Sequence, residues 1–100
     1  MVAFEISVNG HHIRTITSGE SGMLNVDVMW ARIERQDGTV HEEFTARPSG
    51  LEGTDGDAVS WPGASLKMGD SVTISMINVE TTGDTPSERV PRAELLTKRP

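Results

Sequence analysis

Apolar and polar residues alternate with a period of two along three segments of this chain. The apolar members are Val2, Phe4, Ile6 and Val8 in the first segment, Leu24, Val26, Val28 and Trp30 in the second, and Val72, Ile74 and Met76 in the third. A period of two is the spacing of side chains on one face of a β-strand. Turn-forming residues separate the segments and leave little room for a long helix. The pattern predicts an antiparallel all-β protein.

The first predicted hairpin turns at Asn9-Gly10, because both residues tolerate the positive φ angles of a type I′ turn. Opposite charges and apolar side chains then face each other across the two strands. The expected opposing pairs are Val8 with His11, Ser7 with His12, Ile6 with Ile13, Phe4 with Thr15, Glu5 with Arg14, and Ala3 with Ile16.

The second predicted hairpin runs from residue 23 to residue 47 and turns at Gln36-Asp37-Gly38. A two-residue loop would set Ile33 opposite Glu42. A three-residue loop ending in Gly38 is preferred, because it uses glycine at the left-handed position of a G1 bulge. It sets Trp30 opposite Phe44, Arg32 opposite Glu42, and Glu34 opposite Val40. Since the first strand of this hairpin is unusually long, a bend or bulge is expected near residues 30–33.

Glycine and proline are concentrated in residues 48–65, which are predicted to form an irregular loop containing a short strand at Ala58–Trp61. Residues 87–100 form a basic tail, with a short helix over 92–98 or an edge strand over 89–96 as alternatives. Residues 1–100 are expected to form a single domain, a β-sandwich or flattened barrel of about six strands. The expected strands lie near residues 2–9, 11–17, 23–35, 39–47, 57–61 and 70–80.

The charge and composition of the chain argue against some classes of function. The net charge is −6, with 13 acidic and 5 basic residues in positions 1–86. An acidic body repels phosphate, so nucleic-acid binding is not expected. No apolar run spans a bilayer and no secretory signal is visible, so no membrane association is expected. The chain has no cysteine, which is compatible with a reducing cytoplasm.

Two features are candidates for binding. Trp61 borders the glycine-rich loop and could stack on a sugar or anchor a partner. Acidic residues could form a surface that attracts a basic or neutral partner. The residues of this predicted acidic surface are Glu42, Glu43, Glu52, Asp55 and Asp57.

Signals for catalysis and for metal binding are weak. His11 and His12 are adjacent and therefore point to opposite faces of a regular strand. Either one could bind zinc with His41 and Glu43 if the fold brought them together. Asp55-Gly56-Asp57 has the residue types of a calcium loop but lacks the rest of an EF-hand pattern. No catalytic residue, metal ligand or cofactor is therefore assigned.

The order of several short motifs resembles a group of small uncharacterised bacterial β proteins of unknown function. The motifs are Leu24-x-Val26-x-Val28-x-Trp30, Gly50-Leu51, Val59-Ser60-Trp61 and Leu66-x-x-Gly69-Asp70-x-Val72-x-Ile74. The resemblance implies a compact bacterial β domain and no particular activity.

The leading functional hypothesis is a non-enzymatic protein-interaction domain. It would bind a protein partner, or self-associate as a homo-oligomer, through an acidic face or an exposed strand edge. The alternative is a module that binds a small ligand or carbohydrate through Trp61 and residues 48–65. A metal-assisted hydrolase around His41 and Glu43 is the third hypothesis.

Overall fold

A computed structural model describes residues 1–53, 56–81 and 83–91 of the chain. The described residues form β-strands and no helix, as the alternation of apolar residues predicts. The strands are β1 (Val2–Val8), β2 (His11–Thr17), β3 (Gly22–Glu34), β4 (Val40–Glu52), β5 (Asp57–Ser60), β6 (Ala64–Leu66), β7 (Val72–Asn78) and β8 (Glu88–Val90).

The strands form two antiparallel sheets that pack together, which is consistent with a β-sandwich or flattened barrel. The first sheet has the order β2-β1-β7, and the second has the order β3-β4-β5-β8, with β6 also paired to β4. The all-β class and the two-layer arrangement predicted from the sequence are therefore confirmed.

The hydrophobic core lies between the sheets and is small. Ile6 and Ile16 come from the first sheet, whereas Val59 and Trp61 lie on and directly after β5 of the second. Partly buried side chains from both layers surround these four, namely Phe4, Leu24, Val26 and Val72. Ile16 is completely buried. Burial of an isoleucine side chain contributes roughly 1.5–3 kcal/mol to the free energy of folding. Ile16 therefore stabilises the packing of one sheet on the other.

The first hairpin has its predicted turn but a different register over most of its length. Asn9 and Gly10 both have positive φ, at 53° and 80°. Val8 pairs with His11 and Ser7 pairs with His12, as predicted. A β-bulge then shifts the pairing, so Ile6 faces Arg14 and Phe4 faces Ile16. The predicted pairs Ile6–Ile13, Phe4–Thr15, Glu5–Arg14 and Ala3–Ile16 are therefore wrong.

The bulge in the first hairpin has a clear physical consequence. The extra residue on β2 is Ile13, which stays 41% exposed, while Ile16 turns into the core at 0% exposure. A bulge changes which face the following side chains occupy. Contact with the second sheet therefore favours burial of Ile16 over a local pair between Ile6 and Ile13.

The second hairpin has the register predicted from its three-residue loop. Trp30 faces Phe44, and Gly38 has a φ of 87°, the left-handed conformation that the loop requires. The register continues without a shift from Gly22 opposite Glu52 to Glu34 opposite Val40. The bulge expected near residues 30–33 is therefore absent.

Residues 48–65 are largely regular strand, contrary to the predicted irregular loop. β4 continues to Glu52, and β5 and β6 together run antiparallel to it with an interruption at residues 61–63. Pro48 lies opposite this interruption, and its carbonyl accepts a hydrogen bond from the Trp61 amide (3.1 Å). A proline is tolerated there because its nitrogen, which cannot donate, faces the gap between two strand segments.

β6 has no counterpart among the strands predicted from the sequence, whereas β8 coincides in part with the alternative edge strand of the tail. Each has only three residues, too few to show a periodic pattern. In the basic tail, β8 occupies Glu88–Val90, at the start of the predicted edge strand over 89–96. The alternative helix over 92–98 lies outside the described residues.

Candidate interaction surface

The residues of the predicted acidic surface do not lie together. Glu42 and Glu43 are near the tip of the β3–β4 hairpin, whereas Glu52 and Asp57 face each other at the opposite end of β4. Ten residues of extended strand span about 33 Å. Asp55 lies outside the described residues. The structure therefore separates these carboxylates into two groups at opposite ends of one strand.

Both groups of carboxylates also have partners within the chain. Arg89 Nη2 donates to both Glu52 carboxylate oxygens at 3.0 and 2.9 Å, and Arg89 Nη1 lies 3.5 Å from Asp57 Oδ2. Hydrogen bonds and charge attraction from Glu52 raise the pKa of Arg89, and Asp57 adds to the effect. At the hairpin tip, Glu42 Oε2 accepts a hydrogen bond from Trp30 Nε1 at 3.0 Å. Arg89 therefore offsets negative charge at Glu52 and Asp57, and the Trp30 indole occupies one carboxylate oxygen of Glu42.

Trp61 is a core residue. Its side chain is 3% exposed, and its Nε1 donates to the Asp84 carbonyl at 2.8 Å. The Asp84 amide in turn donates to the Thr15 carbonyl on the edge of β2 at 2.8 Å. Trp61 therefore joins the second sheet to the segment that covers β2. It presents no free ring face for a sugar, so the predicted role of Trp61 in ligand stacking is wrong.

The histidines form local polar contacts. His12 Nε2 lies 2.8 Å from Thr15 Oγ1 on the same strand, and His41 Nε2 lies 3.3 Å from Glu43 Oε2. His11 is exposed near the first turn. Among the residues that the structure describes, no three histidine, aspartate or glutamate side chains could hold one metal ion. The zinc hypothesis therefore has no geometric support in this part of the chain.

The edge of β3 is the most distinctive feature of the surface. β3 has 13 residues and lies at one end of the second sheet, paired on one side to β4. Within the described ranges, no strand pairs with its other side. β3 contains neither lysine nor proline, and its pairing with β4 has no bulge. Lysine, proline and bulges are three of the devices that protect an edge strand from association, and their absence leaves this edge open to strand pairing. The charges that β3 does carry are Asp27, Arg32 and Glu34.

The backbone groups that point to this open edge can be identified. The Arg35 amide donates to the Thr39 carbonyl at 2.8 Å, and the Gly53 amide donates to the Ser21 carbonyl at 3.1 Å. Both contacts continue the β3–β4 register, so odd-numbered residues of β3 form the hydrogen-bonded pairs with β4. The amides and carbonyls of the even-numbered residues therefore point to the open edge. Those residues are Gly22, Leu24, Val26, Val28, Trp30, Arg32 and Glu34.

Apolar side chains are exposed along the same strand. Leu24 and Val26 pack on the core, but Val28 and Trp30, further along the same face, are each 59% exposed. They line an apolar groove of about 430 Å³ together with Phe44, Leu66, Met68 and Val72. The first sheet thus covers only one end of β3. An open strand edge and an uncovered apolar face meet at Val28 and Trp30.

Sequence reasoning selected Trp61 and missed Trp30. The two tryptophans differ in what covers them: Trp61 adjoins the core strand β5, whereas Trp30 extends beyond the first sheet. The sequence does carry a signal for this difference, because the strand predicted over 23–35 is longer than the strands predicted over 2–9, 11–17 and 70–80. A long hairpin packed on shorter strands must leave part of its apolar face uncovered.

No helix that could span a membrane occurs in the described part of the chain. Comparison with protein-family models, with curated proteins and with solved structures finds no match for this chain. The comparisons thus supply no function.

Proposed function

We propose that this protein is a non-enzymatic interaction module that binds a protein partner through the open edge of β3. The observation that carries the proposal is the meeting of two features on one strand: unpaired backbone groups and exposed apolar side chains. A strand added from a partner would form hydrogen bonds with the backbone groups at this edge and cover the exposed apolar side chains. The cytoplasm is our expectation for where it acts, because a cysteine-free chain suits a reducing compartment.

The strand edge supports this proposal better than the acidic surface does. Glu52 and Asp57 both contact Arg89, whereas the even-numbered backbone groups of β3 have no partner strand among the described residues. Val28 and Trp30 add the apolar contact area that a stable complex needs. Aromatic residues such as Trp30 commonly contribute much of the binding free energy at protein interfaces.

A charged substitution on the edge tests the proposal. Val28→Lys places a lysine at the centre of the open edge, where charge opposes strand addition. The matched control is Val40→Lys on β4, because Val40 is 51% exposed but does not lie on the edge strand. Partners retained by the immobilised protein, including added copies of the chain, should be lost with Val28→Lys and kept with Val40→Lys. Equal retention by both variants would contradict the proposal.

A further inference from the structure

We infer that the occupant of the β3 edge is a second copy of this chain, paired antiparallel to the first about a two-fold axis at Val28. This inference rests on the proposed use of the edge and names its partner. The two copies would form one continuous sheet in the order β8-β5-β4-β3-β3-β4-β5-β8. In a symmetric dimer of this type, the β3 edge of each chain forms backbone hydrogen bonds with the β3 edge of the other.

The sequence of β3 is complementary to itself in this register. Val28 is the central residue of Gly22–Glu34, so pairing about Val28 uses the whole strand. Trp30 then faces Val26 of the second copy, an aromatic and β-branched pair of the kind that stabilises antiparallel strands. Side chains on each face stay on that face, because even residues meet even residues.

Charges limit the alternative registers. A two-fold axis at Asp27 would place two aspartates directly opposite each other, which is destabilising. With the axis at Val28, Asp27 faces Met29, and the two Asp27 side chains become diagonal neighbours rather than direct ones. Arg32 faces Leu24 of the second copy and keeps its ion pair with Glu34 on its own strand. The register centred on Val28 therefore combines full overlap of the strands with no like charges directly opposite each other.

The accessible surface of the chain is large for its mass, which is compatible with an interface on one of its faces. The chain exposes 6966 Å², whereas a folded monomer of this mass exposes roughly 5,500 Å². The excess of about 1,500 Å² is larger than the roughly 800 Å² that each partner buries in a standard interface. The extents of 48 × 42 × 16 Å describe a flat protomer, a shape with much surface to cover.

Cysteine cross-linking tests the register directly, because the chain has no cysteine of its own. In the proposed dimer Val28 faces Val28 of the second copy in a hydrogen-bonded pair, with Cα atoms about 5.5 Å apart. This separation lies within the range that a disulfide spans. Ile33→Cys is the matched control, because Ile33 is 53% exposed on the same strand but the two copies of it would lie about 34 Å apart.

The experiment is mild oxidation of the purified Val28→Cys and Ile33→Cys variants, followed by non-reducing electrophoresis. Light scattering of the reduced proteins gives their masses, and circular dichroism checks that each variant is folded. We expect a twofold mass for both variants and at least tenfold more cross-linked species for Val28→Cys. Equal cross-linking of both variants would overturn the inference, because it indicates random collision.

The remaining outcomes separate this inference from the proposed function. A dimer that does not cross-link at position 28 would overturn the proposed pairing of β3 with β3 about Val28. It would indicate that the two copies associate through another surface, such as the edge of β7. A monomer at every concentration would overturn self-association altogether. Neither result decides whether a foreign protein binds the β3 edge, which the Val28→Lys and Val40→Lys comparison measures separately.

Discussion

Replacement of Trp30 by alanine should weaken association strongly while leaving the protomer folded. A tryptophan side chain offers up to about 250 Å². With 59% of Trp30 exposed, about 150 Å² is available to a partner. If the second copy covers half of this area, each tryptophan contributes about 2 kcal/mol at 25 cal/mol per Å². A symmetric dimer contains two such contacts, so the loss is about 4 kcal/mol.

A loss of this size corresponds to a several-hundredfold increase in the dimer Kd, since about 1.4 kcal/mol is a factor of ten. Sedimentation equilibrium of the wild-type and Trp30→Ala proteins over a dilution series measures it. Val40→Ala is the control, because Val40 is similarly exposed at 51% but lies on β4, and it should change the Kd less than about threefold. A Trp30→Ala protein that is folded and dimerises within tenfold of wild type would refute the reasoning.

Three further predictions concern stability. Trp61→Phe should lower the free energy of unfolding by about 1–3 kcal/mol in urea titrations, because it removes the hydrogen bond to the Asp84 carbonyl and leaves space in the core. Equal stability would contradict the assignment of Trp61 to the core. Gly50→Ala should destabilise the protein more, because the added Cβ would lie 2.1 Å from the Met23 carbonyl oxygen on β3, a backbone atom that cannot move aside. A thermal midpoint unchanged from wild type would argue against this close strand contact. The stabilisation that the ionised Asp70 provides should be lost as the pH falls below about 4. Asp70→Asn should therefore reduce the dependence of the free energy of unfolding on pH in this acid range. An unchanged pH dependence would exclude a contribution from Asp70.

The sign of the acid effect follows from the contacts of Asp70. Its carboxylate accepts hydrogen bonds from the Asn9 side chain and the Lys67 amide, both at 2.9 Å. These hydrogen bonds lower the pKa of Asp70 below its usual value of 3.8, and the bond from Asn9 has a larger effect than the bond from the Lys67 amide. A carboxylate with a lower pKa in the folded state stabilises that state above the unfolded pKa. The contribution disappears as the pH falls through the folded pKa.

Local turn chemistry made part of the fold predictable. The three-residue loop requires a residue in the left-handed conformation, and Gly38 adopts it. This requirement, together with the Trp30–Phe44 pair, indicates the register of the whole β3–β4 hairpin. The turn at Asn9-Gly10 was equally clear. The register beyond it was not, because the choice between burying Ile13 and Ile16 depends on the second sheet, which is distant in sequence.

The candidate site was less predictable for the same reason. An exposed strand edge was among the expected binding surfaces, but the sequence could not say which strand would end the sheet. Composition alone could not show that Arg89 pairs with Glu52, because they are 37 positions apart. Nor could the local pattern distinguish Val28 from Val26, since both lie on the same face of β3. Their difference in exposure depends on where the first sheet ends.

Amide hydrogen exchange along β3 tests the central claim most directly. In the protomer, the even-numbered amides point to the open edge, whereas the odd-numbered amides are hydrogen-bonded to β4. If the edge pairs with a second copy, the amides of Val26, Val28 and Trp30 should exchange slowly in concentrated protein and much faster after dilution. The odd-numbered amides should change far less. Fast exchange at Val26, Val28 and Trp30 at every concentration, with or without a dimer, would contradict pairing at this edge.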